Sequence, residues 1–456
     1  MFIVPKISGG GAEKVITSLA SELSEAHVVY LVTTTREDGQ EGYAFSKAVH
    51  YINLFEGYGN NSLYKKLSND IKLAWHTIIR KVKKNIRKHI LKKSPAGETE
   101  HMDAYAFHIQ KLTAIKQSLG IDCSISFLNS ANYINTLSDA GDKRIISIRS
   151  CLSGPYAPQD CQSLEGKARI ESACRLADKI IPVSCEAEDN LIREYHADPT
   201  KTQVIYNYVD RENITAQSVE FPQGPSRDQL PNDAPDLKEL SRIIKAADFV
   251  FFASGRLTEK KGQWHMIRAF TEVIKSQPKA ILVILGKTGK GNEDTTAFLR
   301  RVIKENHLED HVILAGFYKN PASLLKRGDA FVMTSFNEGF PNALVEAMAL
   351  SLPVIAADCR SGPREILAPE TDCHIKTSEA DYAPYGILVP ECSGAKKTNA
   401  PLEKNEQILA DVMKRLINDK DLREYYGKQS LIRIQDFDKQ KTLSQWKAVI
   451  DEEIQH

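Results

Sequence analysis

Two glutamates eight residues apart, Glu338 and Glu346, bracket the segment Gly339-Phe340-Pro341-Asn342, and the run before them, 330–333, is short and apolar. This order predicts a strand, a loop over 335–341 and a helix with Pro341 and Asn342 in its first positions. The free backbone N–H groups and positive dipole end of such a helix favour an anion such as a diphosphate. Glu338 on the loop and Glu346 about one turn inside could accept hydrogen bonds from two separate hydroxyl clusters, one on a sugar ring and one on a ribose. Taken alone, the two carboxylates read equally well as a loop acid and an exposed helix residue.

A second segment changes the weighing. Residues 252–262 again read as a strand running into a loop and a helix, with Gly255, Arg256, Lys261 and Gly262 in the loop. Arg256 and Lys261 could neutralise a departing diphosphate, the task a metal ion performs in other enzymes. Each cation by itself would read as a solvated surface charge. A third element, Gly9-Gly10-Gly11-Ala12-Glu13-Lys14, opens a helix after a very short apolar run, where Gly10 and Gly11 permit close approach of backbone to a phosphate or sugar. It is not the dinucleotide fingerprint, because Lys14 stands where a third glycine would be needed.

These loops need elements to hold them. Apolar runs at 28–33, 123–128, 144–148, 180–183, 249–253, 281–285, 312–315, 330–333 and 353–356 alternate with helical patterns, which predicts parallel sheets covered on both faces. The alternation breaks over 210–245, rich in Asp, Glu, Pro and Gln, with a helical pattern only at 237–244. We read the chain as an N-terminal α/β domain over 1–209, a linker region over 210–245 and a C-terminal α/β domain over 246–435. Residues 436–456 form a last helix returning to the first domain. Ligands of open α/β sheets lie beyond the carboxyl ends of the strands, so two such domains face each other across a cleft. Helical patterns at 405–418, 422–434 and 441–454 lack intervening strands and should pack outside the sheet.

Composition fits this reading. A chain of 456 residues exceeds one ordinary core, and 42% hydrophobic with 26% charged residues describes a globular protein. A net charge of +1 argues against a general nucleic-acid binder. The eight cysteines form no CxxC pair, so reduced thiols in a cytosolic setting are expected. Neither a secretory leader nor a membrane-spanning helix is expected, and the sequons at Asn60 and Asn213 are expected in polar loops as chance matches. Gly286-Lys287-Thr288 fails as a phosphate-binding P-loop, which would need glycine where Ile281 stands. The D-x-D patterns at Asp419 and Asp436 lie among late helices rather than after a sheet strand, so no metal role is expected. His101, His108 and His265 read as surface or packing histidines.

Together the residues resemble the retaining glycosyltransferases of family 4, which have the GT-B fold of two Rossmann-like domains. The resemblance spans nearly the whole chain and rests most on Gly255-Arg256, Lys261-Gly262, Ala315-Gly316-Phe317, Glu338 to Pro341, Glu346-Ala347-Met348-Ala349 and Gly362-Pro363-Arg364-Glu365. It implies a hexosyl- or N-acetylhexosaminyltransferase that uses a nucleotide diphosphate sugar, UDP-linked by preference, with no bound metal and with retention of configuration. Glu338 would touch the donor sugar, Glu346 the ribose, and Arg256 with Lys261 the diphosphate. Gly339, Phe340, Pro341 and Asn342 would line the donor, Leu344 and Val345 would offer amides to the phosphates, and Phe317 and Tyr318 would contact the base. Where relatives often carry Ser-Glu-Arg-Asn, this chain has Ser147-Ile148-Arg149-Ser150, so only Arg149 is kept. Arg149 and Asn129 are the acceptor-side candidates. Two other readings stay open: a sugar-nucleotide epimerase of similar fold, and a non-catalytic subunit that binds a nucleotide sugar at a membrane.

The acceptor is suggested by residues 63–93, where Ile71, Trp75, Ile78, Ile79, Val82, Ile86 and Ile90 recur at helical spacing among eleven lysines and arginines. That pattern suits a helix on an anionic membrane surface, with a core-facing helix under a solvated outer face as the alternative. Relatives that use basic surfaces this way act on polyprenyl-diphosphate-linked glycans, which implies a lipid-linked acceptor and peripheral attachment to the inner face of the cell membrane. Lys81, Lys83, Lys84, Arg87 and Lys88 would carry the contact, at about 1 kcal/mol per cation near the surface. Vesicles containing anionic lipid should therefore bind the protein in a salt-sensitive way. Binding that survives neutralisation of Lys81, Lys83, Lys84 and Arg87 contradicts the membrane reading.

Overall fold

The computed structural model describes residues 1–7, 11–35, 45–54, 99–220, 234–288 and 293–455. Gly10, Asn60 and the basic stretch 63–93, with its five candidate membrane cations, lie outside them.

Six parallel strands make the first sheet: β1 (Phe2–Val4), β2 (Tyr30–Thr33), β3 (His50–Asn53), β4 (Cys123–Phe127), β5 (Lys143–Ile148) and β6 (Lys179–Pro182). Their order is β3-β2-β1-β4-β5-β6, the doubly wound arrangement in which direction reverses between β1 and β4. Helices α1 (Gly11–Leu23), α2 (Thr99–Leu119), α3 (Asn129–Leu137), α4 (Leu164–Leu176) and α5 (Cys185–Tyr195) accompany it. Every residue of β4 is buried, the signature of a strand covered on both faces. One charge is buried with it. Lys116 has no solvent exposure and is held by Asp142 at 2.9 Å, Asn135 Oδ1 at 2.8 Å and the Ser138 carbonyl at 3.0 Å. Only such saturation makes a buried ammonium tolerable.

The second sheet contains β7 (Phe249–Ser254), β8 (Ala280–Leu285), β9 (Val312–Gly316), β10 (Ala330–Met333), β11 (Val354–Ala357), β12 (Asp381–Ala383) and β13 (Gly386–Val389). The order β12-β13-β11-β10-β7-β8-β9 repeats the first sheet's winding, with β12 added antiparallel at the edge. Here the reversal falls between β7 and β10, the two strands that feed the candidate loops. Around this sheet lie α6 (Arg211–Val219), α7 (Leu237–Ala246), α8 (Gln263–Ser276), α9 (Glu293–Glu305), α10 (Ala322–Leu325), α11 (Asn342–Ala349), α12 (Pro363–Leu367), α13 (Lys404–Asn418) and α14 (Lys420–Arg433).

The last helix, α15 (Lys439–Gln455), buries Leu443, Trp446, Val449 and Ile450 in the core of the first sheet. Trp446 stacks on Phe127 with ring centroids 5.8 Å apart. The chain therefore crosses between the sheets twice, and the crossings touch: the Val209 amide donates to the Phe437 carbonyl at 2.8 Å.

Some elements differ from the sequence reading. The stretch after residue 210 is not plain linker, because Asp210 caps α6 by accepting from the Asn213 amide at 3.0 Å, and buried Ile214 joins the second core. Asn213 consequently sits in a helix rather than a loop. Its single strongly buried apolar residue left α6 without a readable period. The short strands β3, β12 and β13 were likewise too brief to register.

Candidate active site

The loops after β7 and β10 are locked together before any side chain is considered. The Phe336 amide donates to the Lys260 carbonyl at 2.9 Å and Thr334 Oγ1 to the Gly262 carbonyl at 3.0 Å. Gly262 has φ +57°, and a Cβ there would lie 2.5 Å from the Thr334 carbonyl, so only glycine fits. This clamp brings Lys261 to Glu338, Nζ to Oε1 at 2.5 Å, with Glu338 only 7% exposed. Burial pushes the Glu338 carboxyl upward, but Lys261 and then Lys260 more than offset this and hold it below its ordinary value. Arg256 is exposed at the same rim, and among the described residues its side chain makes no ion pair.

The next residues join the two domains. A Cβ on Gly339 would lie 2.1 Å from the Arg149 carbonyl, so the β10 loop abuts the end of β5 in the opposite domain. Asn342, first residue of α11, accepts from Asn207 at 2.8 Å. Glu346, one turn further, pairs with Lys14 of α1 at 2.7 Å. Gly11 opens that same α1. Three candidate residues of the β10–α11 segment thus meet the first domain directly.

Several candidates point elsewhere. Phe340 packs against Tyr206 and Phe437 with centroids at 5.7 and 5.0 Å, so its ring belongs to the domain junction. Leu344 and Val345 are fully buried, and their amides donate to the Pro341 carbonyl at 2.9 and 3.4 Å. The first-turn donors of α11 that remain are the amides of Asn342 and Ala343. Pro341 is buried at the cap position. Tyr318 is 3% exposed and lies in the second domain's core, where burial and the nearby Asp236 raise its pKa, so it is not available to a base at the surface. Phe317 is 39% exposed, with Lys287 Nζ 5.0 Å from its ring, and is the aromatic face presented outward at the end of β9. Gly255 donates its amide to the Leu285 carbonyl at 2.9 Å, fixing the β7 loop to β8.

On the first domain, Asn129 starts α3 and donates to Cys161 Sγ at 2.9 Å and Asp160 at 3.3 Å. Arg149 reaches Ser147, Asn207 and the Phe127 ring, and no carboxylate pairs with it among the described residues. Burial lowers its pKa, although a guanidinium starts so high that it keeps its charge.

Sequence reasoning missed the seam beside the site. Glu365 of α12 accepts from the Cys185 and Glu186 amides at 2.8 and 3.2 Å and from the Tyr206 hydroxyl at 3.1 Å. Glu186 in turn accepts from the Ser361 amide at 2.6 Å and from Lys376 at 3.1 Å. The signal was present, since Glu365 stands in a quoted motif, but nothing in the pattern names its partner. His265, Cys392 and Glu403 also converge, with ligand-type atoms within 4.8 Å of one another. Glu403 is engaged by the Ser393 amide and hydroxyl at 2.8 and 2.5 Å, and His265 by Glu406 at 2.7 Å, so this cluster reads as a structural network.

Comparison with known proteins bears on this geometry. Residues 239–383 match the family model "Glycosyl transferases group 1". An uncharacterised glycosyltransferase of Methanocaldococcus jannaschii is 36% identical over 281 residues, 61% of this chain and 64% of that protein's length. The N-acetylgalactosamine-N,N'-diacetylbacillosaminyl-diphospho-undecaprenol 4-alpha-N-acetylgalactosaminyltransferase of Campylobacter jejuni is 29% identical over 334 residues, 73% of this chain and 76% of that protein. An Anabaena protein crystallised with UDP and glucose superposes with a TM-score of 0.65 at 18% identity, covering 99% of both chains. The fold is GT-B.

The Lys261–Glu338 pair predicts a pH dependence. Glu338 sits below 4.5 in the folded protein, so its stabilising contribution is complete above that pH and is lost as pH falls through its lower folded value. The gap in thermal stability between wild type and Glu338→Gln should be flat near neutrality and shrink on acidification. A gap that widens in acid contradicts the pairing.

Proposed function

We propose, from a glycosyltransferase group 1 segment set in a GT-B fold, that the protein transfers a sugar from a UDP-linked donor to a polyprenyl-diphosphate-linked glycan in cell-surface polysaccharide synthesis, with retention of anomeric configuration. The observation that carries the reading is the convergence of the β7 and β10 loops, which sets Lys261 on Glu338 beside the first turn of α11 and leaves Arg256 exposed at the rim.

In this account the donor diphosphate lies at the Asn342 and Ala343 amides, where helix polarity and backbone donors favour negative charge. Glu338 leaves its ion pair to accept hydroxyls of the donor sugar, and Lys261 with Arg256 takes up charge developing on the leaving diphosphate. These cations serve the purpose of a metal. Of the D-x-D aspartates, Asp419 caps α14 by accepting from the Leu422 amide at 2.9 Å, Asp436 accepts from Arg433 at 2.6 Å and Asp438 from the Gln440 amide at 2.8 Å. Glu346 holds the ribose diol and Phe317 offers its exposed ring to the base. The acceptor hydroxyl approaches from the first domain, on the side of Arg149 and Asn129, and attacks the face from which the leaving group departs.

A lipid-linked acceptor is supported by the name of the Campylobacter relative and by the cationic stretch 63–93. Among the described residues no helix is long and apolar enough to cross a membrane. We infer peripheral attachment at the inner leaflet through Lys81, Lys83, Lys84, Arg87 and Lys88. The sugar transferred is a hexose or N-acetylhexosamine.

A panel of nucleotide sugars offered with lipid-linked and soluble acceptors tests the assignment. Transfer should depend on acceptor, and Glu338→Ala or Lys261→Ala should lower turnover by about 100-fold or more, the scale for removing one preorganised electrostatic contact. Full activity in both variants removes the assignment, and product formed without acceptor favours the epimerase.

A further inference from the structure

We propose that Lys14 is a third cation of the donor site, supplied by the opposite domain, which exchanges Glu346 for the donor's diphosphate when a nucleotide binds. The inference deepens the reading above and rests on it.

Lys14 Nζ lies 2.7 Å from Glu346 Oε1, and the two side chains are 31% and 25% exposed. They come from different sheets and lie 332 positions apart in sequence, so the pair forms only when the domains are apposed. Glu346 follows Asn342 by four residues of α11, an axial distance of about 6 Å. A lysine's flexible four-carbon stem can swing its ammonium over a distance of that order, from Glu346 to the first turn. The swing has a driving force. If Glu346 turns its oxygens to a ribose diol, the Lys14 ammonium gives up this ion pair, and the adjacent diphosphate offers a charge-assisted contact in its place. The same relation already holds across the site, where Lys261 rests on Glu338. Two carboxylate–lysine pairs thus flank α11. One lies within the second domain and one bridges the domains, so nucleotide binding and domain closure share the Lys14 charge.

The distinguishing feature is dependence on phosphate. Calorimetric titration of the full chain with UDP and, separately, with uridine should show Lys14→Met losing about tenfold or more in UDP affinity, the scale of a charge-assisted hydrogen bond. Uridine binding should be unchanged or tighter, because Glu346 is released from its competitor. Lys14→Arg should restore UDP binding. Lys14→Gln, which keeps a polar contact to Glu346 without charge, should behave as Lys14→Met and guards against a folding defect. Equal losses for UDP and uridine, or none for either, overturn the proposal. If Lys261→Ala weakens UDP while Lys14→Met and Lys14→Gln do not, this inference fails and the donor reading stands. If wild type binds no UDP, both fall.

Discussion

Buried carboxylates that reach across to backbone amides of the opposite domain set the geometry on which the site depends. Glu365 satisfies two first-turn amides of α5, and Glu186, itself in that first turn, satisfies the Ser361 amide just before α12. A carboxylate removed from water costs several kcal/mol unless its lone pairs are filled, and helix N-termini supply donors that would otherwise lack partners. Each domain therefore completes the other. Ser184 and Ser361 hydroxyls, 2.6 Å apart, close the centre of the same seam.

That seam places two sheets of the same winding with their switch points turned toward a shared space. β7 and β10 flank the reversal in the second sheet, as β1 and β4 do in the first. The consequence is economical: the Arg256–Lys261 loop, the Glu338 loop, the Lys14 helix and the α3 start all emerge at strand ends facing the junction. The paired crossings at Val209 and Phe437 tie the domains directly behind the β10–α11 loop, where Phe340 packs on Phe437, and Trp446 on Phe127 anchors the last helix to the first sheet.

The strands were legible because parallel strands covered on both faces must be continuously apolar, and nearly every such run became a strand within a residue or two. α7 and α13–α15 were legible from their period. α6 was not, since its capping aspartate and lone buried Ile214 carry little periodic signal. In the site, residue types at strand ends pointed to Glu338, Lys261 and Glu346, whereas the roles of Leu344, Val345 and Tyr318 depended on which way an amide or ring turned. Direction of that kind is decided by packing. Lys14 was visible only as a residue standing in place of a glycine, and Glu365 only as part of a motif. Their partners are more than a hundred residues away, a pairing that one sequence does not encode locally.

The central claim is that a nucleoside diphosphate lies between the domains at the first turn of α11. A crystal structure of the protein with UDP tests it most directly. The account predicts the diphosphate within hydrogen-bonding distance of the Asn342 and Ala343 amides, Arg256 and Lys261 turned to its oxygens, and the ribose diol on Glu346. UDP bound away from α11, or bound there with the ribose pointing from Glu346, Lys261 still on Glu338 and Arg256 turned away from the phosphates, contradicts it.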